Sequence, residues 1–175
     1  MDVIEAIKER RSVREFTDDD VSDEIVREIL DCARWAPSGI NNQAWRFIVI
    51  KNNETKEKLS KLTHYGRIIR ESKVCIAVFL DLNVMYDRTK DVQSIGACIQ
   101  NMLLAVHALG LGAVWLGEIL KNKEKVREIL EAPEFYELMA VVALGYPKPK
   151  KRTSSRKDLS EITYSETYGN KFEVG

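Results

Sequence analysis

Apolar residues recur along this chain at two spacings, three to four residues and two residues, and the switches between them lay out the elements. Residues 2–10 read as a helix: Val3, Ile4 and Ile7 share a face, and Asp2-x-x-Glu5 has the form of a capping box. Residues 23–35 read as a second helix, with Ile25, Ile29 and Ala33 along one side, Ser22 as N-cap and Pro37 as stop. Trp45–Ile50 is aromatic and β-branched between polar flanks, which predicts a strand. A short helix follows over Glu54–Leu62 with Asn53 as its cap, then a strand over Val74–Leu80 whose unbroken apolar run suits burial on both faces. The longest helix is predicted over 91–109, where Val92, Ile95, Ile99, Met102, Leu103 and Val106 recur up to a Gly110-Leu111-Gly112 cap. Ala113–Leu116 reads as a strand, Lys123–Leu130 as a helix ended before Pro133, and Leu138–Leu144 as a buried strand. These elements make one domain of helices around a four-stranded sheet, with no repeat and no linker between two cores.

The periodicity stops after Gly145-Tyr146-Pro147. Residues 147–157 are basic and broken by proline, with no apolar face, so they cannot form a core element. The tail Leu159–Val174 then carries Ile162, Tyr164, Tyr168 and Phe172, too many apolar residues for a free tail, and is expected to dock, adding a strand to its own chain's sheet or a partner's. Charge sharpens this. With 27 Lys+Arg and 27 Asp+Glu the 175-residue chain is neutral, which counts against a broadly basic nucleic-acid surface. The neutrality is uneven: residues 8–14 carry net +3, residues 146–157 net +6, and the remainder net −9. At 45% hydrophobic residues the chain reads as a soluble globular protein that needs no metal or disulfide staple. Cys32, Cys75 and Cys98 are widely spaced and are expected to be reduced, buried thiols. The N-terminus lacks the features of a signal peptide, and no apolar run approaches the ~20 residues of a membrane span, so a cytoplasmic protein is expected.

Four segments could carry chemistry. Arg10-Arg11-Ser12-Val13-Arg14 offers guanidinium groups and a hydroxyl suited to phosphate, although cations at a helix C-terminus also occur for the helix dipole alone. Ala36-Pro37-Ser38-Gly39-Ile40-Asn41-Asn42-Gln43-Ala44-Trp45 is a loop of small residues and amides suited to the polar edge of a heterocycle, or a turn of ordinary turn formers. In Gly110–Glu118 a strand ends at Gly117, where backbone can approach a ligand; G-x-G-x-x-G and the P-loop lysine are both missing. Ser154-Ser155-Arg156-Lys157 ends the basic segment and suits phosphate or a solvated tail. His64 and His107 are the only histidines, and His107 reads as packed or surface rather than as a ligand. No zinc or serine-hydrolase motif is present, which points to chemistry borne by a cofactor.

Taken in order, these segments, with Leu144-Gly145-Tyr146-Pro147, resemble the FMN-dependent nitroreductase family over nearly the whole chain. The resemblance implies an α+β, three-layer fold with a mixed central sheet, and a homodimer holding two FMN molecules at its interface. It implies that the extension 147–175 wraps onto the partner subunit. It assigns Arg10 and Ser12 to the phosphate and ribityl end, with Arg11 beside them, and Arg14 to the pyrimidine edge of the flavin. Pro37, Ser38, Gly39, Asn41 and Gln43 match the loop laid against the flavin by the second subunit. Leu116, Gly117 and Glu118 match a segment whose backbone N–H reaches flavin N5, and Arg156 matches a C-terminal phosphate ligand that Ser154 or Lys157 assists. No side chain is catalytic and no metal is expected.

The departures are informative. Gly39 stands where a second serine is frequent, Arg11 where some members have histidine, and only Arg67 and Arg70 are candidates for a further flavin contact in 64–70. Residues 81–90 are short, which implies a more open substrate pocket lined by Tyr86 and Arg88. The expected activity is ping-pong electron transfer from NADH or NADPH through flavin N5 to a small electron-poor acceptor such as a nitroaromatic or quinone. Rivals are flavin fragmentation, dehalogenation or dehydrogenation on the same fold, a non-enzymatic FMN-binding protein, and an interaction module that uses 147–157 on RNA or an acidic partner.

Overall fold

The computed structural model describes residues 2–172; Val174 of the predicted tail lies outside them. Helix α1 spans Val3–Glu9 and α2 Asp23–Arg34, capped by Asp2 and Ser22 as the sequence predicts. Strand β1 is Trp45–Ile50. Helix α3, Asn53–Ser60, is capped one residue earlier than predicted, by Asn52, and is followed by α4, Gly66–Glu71. Strand β2 is Val74–Asp81 and helix α5 is Arg88–Ala108. Strand β3, Gly112–Leu116, helix α6, Lys123–Ile129, and strand β4, Tyr136–Gly145, complete the core.

The strands lie in the order β1-β2-β4-β3, and every ladder is antiparallel. This corrects the expected mixed sheet: the parallel pairing is a single bridge between Ser12 and Ala113, because segment 10–17 lies along β3 without becoming a strand. The α+β, three-layer architecture holds. All of β2 is buried, so alternate residues serve opposite layers. Ile76, Val78 and Leu80 pack with α2 and α5 through Ile29, Ile99 and Met102. Cys75, Ala77 and Phe79 pack with α3, α4 and α6 through Leu59, Ile69 and Val126. A register shift opposite Val78 and Phe79 places Leu138 with the second layer and Ala140 with the first.

Several expectations change. Cys75 and Cys98 are buried, but Cys32 is only half-buried, in a groove it lines with residues of α1 and α5. Val3, Ile4 and Ile7 share a face as predicted, yet that face is exposed and only Ala6 of α1 is buried. The tail does not dock on its own chain: Leu159, Ile162, Tyr164, Tyr168 and Phe172 are all exposed, and Tyr168 is 89% exposed. It folds back only on itself, with a Tyr164–Lys171 bridge and the Tyr164 and Tyr168 rings 4.7 Å apart.

Glu137 ties the layers at one sheet end. Arg88 donates to both of its oxygens, at 2.7 and 3.1 Å, and Lys123 to one at 2.8 Å. The hydrogen bond from Arg88 is the main reason the carboxyl is held down at about 2. A depressed carboxyl stabilises the fold above its unfolded value and loses that contribution as pH falls through the folded one. Melting temperature is therefore expected to drop between pH 4.5 and about 2, and Glu137→Gln to flatten that acid limb in thermal melts at graded pH.

Candidate functional site

After α1 the chain is laid flat on two strand ends. Val13 N–H donates to Ala113 O at 2.9 Å, Thr17 N–H to Tyr146 O at 2.8 Å, and Lys148 N–H to Glu15 O at 3.1 Å. Two glycines allow this approach. A Cβ on Gly112 would lie 2.5–2.7 Å from Val13 side-chain atoms, and one on Gly145 3.2–3.3 Å from Phe16. With Val13 and Phe16 buried, the polar residues between and before them face the basic segment. Arg10, Arg11, Ser12 and Arg14 then line one cavity of about 500 Å³ with Lys150, Arg152, Ser154 and Arg156. Lys157 is exposed and does not line it.

Among the described residues no carboxylate lines this cavity. Burial, then the like charges of Arg156 and Arg11, push the Arg10 guanidinium below its usual range. Buried Nε atoms of Arg10 and Arg11 have no hydrogen-bond partner in the protein. Arg11 donates to Lys8 O at 2.6 Å and Arg10 O at 3.0 Å. Guanidinium groups crowded around one cavity fit a phosphate or another polyvalent anion. The two basic stretches read from opposite parts of the sequence thus converge.

The loop before β1 is strained. Ile40, Asn41 and Gln43 have φ of 48°, 56° and 46°. Such left-handed residues cost on the order of 1–3 kcal/mol each and persist where surroundings over-determine them. Here Gln43 N–H donates to Ser38 Oγ at 3.2 Å and the Arg46 guanidinium to Gln43 O at 3.0 Å. The Asn42 amide donates to Val84 O at 3.2 Å and to Asp91 Oδ1 at 2.6 Å. Asp91 Oδ2 also accepts from the backbone N–H of Tyr86 and Asp87, at 3.0 and 3.1 Å. Burial alone would raise the Asp91 carboxyl, but the bonds from Asn42, Asp87 and Tyr86 outweigh it and hold the group below its usual range.

Asp91 therefore straps residues 84–87 to the loop. It is fully buried and escaped the sequence reading, where it looks like one more first-turn acid of a helix. Tyr86 is brought against the loop so closely that a Cβ on Gly39 would overlap its hydroxyl. A residue with a Cβ at position 39 would require the Tyr86 ring to swing aside. Pro37, Ser38, Gly39, Tyr86, Lys90 and Gln93 line a cavity of about 320 Å³, with the Lys90 ammonium 5.2 Å from the Tyr86 ring centroid. Asn41 and Gln43 are exposed. Arg88, expected in this pocket, instead forms the ion pair with Glu137.

At the end of β3, Leu116 is buried, Gly117 is exposed and a 3-10 turn, Glu118–Asn122, begins. The Glu118 carboxylate pairs with Lys121 and accepts from Thr63 Oγ1 at 2.5 Å and His64 N–H at 3.1 Å. Those bonds, Lys121 first, hold it down at about 2. The side chain is committed locally, so any ligand role of Gly117 and Glu118 falls to their main chain. Arg67 donates to Glu71 at 2.7 Å and Arg70 to Ser60 Oγ at 3.0 Å; neither lines the basic cavity.

The architecture is shared with known proteins. A model of the nitroreductase family matches residues 7–66 and 63–146. The chain belongs to the nitroreductase family. Family membership covers the segment at 10–17, the strained loop and the strand end, whereas residues 147–157 lie past the match. The chain is 38% identical, over 93% of its length and 86% of the relative's, to a protein of Methanothermobacter thermautotrophicus described as an NADH dehydrogenase/NAD(P)H nitroreductase. It is 26% identical, over 99% of its length and 77% of the relative's, to an FMN reductase [NAD(P)H] of Bacillus subtilis. A crystal structure described as a nitroreductase in complex with FMN from Desulfovibrio desulfuricans superposes with a TM-score of 0.91 at 46% identity, covering 96% of this chain and 98% of that one.

Proposed function

We propose that this nitroreductase-family chain is an FMN-dependent oxidoreductase. It carries electrons from NAD(P)H to a small electron-poor acceptor by a ping-pong scheme, as a cytoplasmic homodimer. The carrying observation is the cavity in which Arg10, Arg11 and Ser12 meet Arg156, a cation set without a carboxylate. These residues would hold the FMN phosphate. Arg14, on the same wall, would offset the negative charge that reduction puts on the pyrimidine edge. Bound flavin supplies the redox chemistry, accepting a hydride from reduced nicotinamide and returning electrons to the acceptor. The main chain at Leu116, Gly117 and Glu118 would orient the ring.

Pro37, Ser38, Gly39, Asn41 and Gln43 would meet a flavin bound across a dimer interface, with Tyr86 bounding the acceptor pocket. A second copy of the chain also suits the apolar groups left exposed: Val3, Ile4 and Ile7 of α1, Trp35, and the tail from Leu159. The three unpaired cysteines suit a reducing compartment. Among the described residues no helix is long and apolar enough to cross a membrane.

The test is an absorption spectrum of the purified protein before and after anaerobic NADH and NADPH. A yellow protein that bleaches with either nicotinamide and recovers its colour with a quinone or nitroaromatic is expected. A colourless protein that takes up no added FMN overturns the reading.

A further inference from the structure

The cavity beside the strained loop holds a cation that the flavin site leaves unused. Lys90, in the first turn of α5, lines it with Pro37, Ser38, Gly39, Tyr86 and Gln93. Among the described residues its ammonium makes no ion pair and no hydrogen bond; what it meets is the Tyr86 ring, 5.2 Å to the centroid. The acids closest to it in sequence are engaged elsewhere. Asp87 caps the helix by accepting from the Lys90 main-chain N–H at 2.9 Å. Asp91 is buried in the strap to Asn42, Tyr86 and Asp87, and the charge of Lys90 is the smallest of the influences on its carboxyl. Among the described residues no carboxylate lines the cavity.

The place of this cation follows from the loop. Gly39 has no Cβ, and the Tyr86 hydroxyl takes the space one would fill. The Tyr86 N–H is tied to Asp91 Oδ2 at 3.0 Å. Tyr86 is thereby held across the loop, with its ring toward the ammonium, a contact that the ring quadrupole favours. A ring orients a cation without neutralising it, so the charge stays available to an anion. Arg88, the cation expected in this pocket from sequence, is spent on Glu137, and Lys90 stands in its place. The walls suit one small ring. Pro37 and Ala97 offer apolar contact and Ser38, Gln93 and Ser94 polar edges, and about 320 Å³ suits a single substituted ring better than a dinucleotide.

We propose that Lys90 sets the class of acceptor: a small electron-poor ring bearing an anionic substituent, a carboxylate or sulfonate, that pairs with the Lys90 ammonium. This rests on the FMN reading above, which puts Tyr86 and the loop from Pro37 to Gln43 at the flavin. The phosphates of the reductant share the same charge chemistry, so the two half-reactions are measured apart.

The test compares para-nitrobenzoate with para-nitrobenzamide, acceptors of similar shape that differ in charge, on the FMN-loaded enzyme with NADH. Each turnover oxidises one NADH and, with one proton from solvent, takes the nitro group to nitroso and water. The ratio of kcat/KM for the two acceptors is compared between variants, so that intrinsic reactivity, folding and flavin content cancel. Lys90→Met, which keeps the apolar stem, is expected to lower the benzoate-to-benzamide ratio about five-fold, the size of one solvent-exposed ion pair. Lys90→Glu is expected to lower it further, and Lys90→Arg to keep it within about two-fold. The loss is expected in the KM for nitrobenzoate rather than in kcat, because an ion pair to a ring substituent binds substrate and transition state alike. A ratio that stays within about two-fold of the unsubstituted enzyme's in Lys90→Met overturns the inference and leaves the FMN reading in place. So does a fall in the NADPH-to-NADH ratio of anaerobic bleaching rates with the acceptor ratio unchanged, which assigns the cation to the reductant. A protein that takes up no FMN, or whose flavin reduces neither acceptor, overturns the FMN reading together with the inference.

Discussion

Asp91→Leu is expected to lower the melting temperature by about 10 °C. The carboxylate accepts from the Asn42 amide and from the N–H groups of Tyr86 and Asp87. Leucine removes both acceptor oxygens, so two backbone donors are left unmet and the Asn42 amide keeps only its bond to Val84 O. Breaking a buried network from one side costs about 3–5 kcal/mol, and a chain of this size loses roughly 2–4 °C per kcal/mol. The effect goes beyond stability. Without the strap, the strained loop keeps only the bonds of Gln43 to Ser38 and Arg46, so it is expected to relax and flavin binding to weaken with it. Asp91→Asn, which keeps one acceptor oxygen, is expected to fall between. A calorimetric shift under about 3 °C for the leucine variant would show that the strain is held elsewhere.

The second large effect is expected from Gly112→Ala. One methyl group here meets Val13 at 2.5–2.7 Å, including its Cβ, which is too close to the main chain to swing aside. Overpacking of this kind costs about 1–3 kcal/mol. The chain can yield only by lifting segment 10–14 off β3, which moves Arg10, Arg11, Ser12 and Arg14 together. FMN affinity is therefore expected to fall about ten-fold, more than the stability loss alone explains. The double variant Gly112→Ala/Val13→Gly is expected to recover part of the binding, because it removes the Cβ and both methyl groups in conflict. Additive losses in a double-mutant cycle would show that the two residues do not oppose each other.

Much of the fold was legible from periodicity. Trp45–Ile50 is the same strand in both descriptions, because its aromatic and β-branched residues sit between polar flanks. Helix α5 begins three residues before its predicted start, since Arg88, Thr89 and Lys90 carry no apolar signal and Asp87 caps from further upstream. Helix α4 was missed because six residues with the adjacent pair Ile68-Ile69 show no helical period and Tyr65 gives no side-chain cap. The basic stretches that converge at 10–14 and 150–156 were visible because charge marks them. Asp91 was not, because it sits inside a helix pattern whose residue types look ordinary. Nor does any propensity announce a β-branched residue such as Ile40 in a left-handed conformation.

The meeting of Arg10 with Arg156 has a consequence for synthesis. Chains emerge from the ribosome from the N-terminus onward, and early parts begin to fold before late ones exist. All four strands of the sheet precede the basic segment 147–157, so the scaffold can assemble while the anion cavity still lacks one wall. Closure of the cavity is thereby deferred until residues 147–157 have been made. A product truncated just after β4 would keep its layers and lack one wall of the cavity.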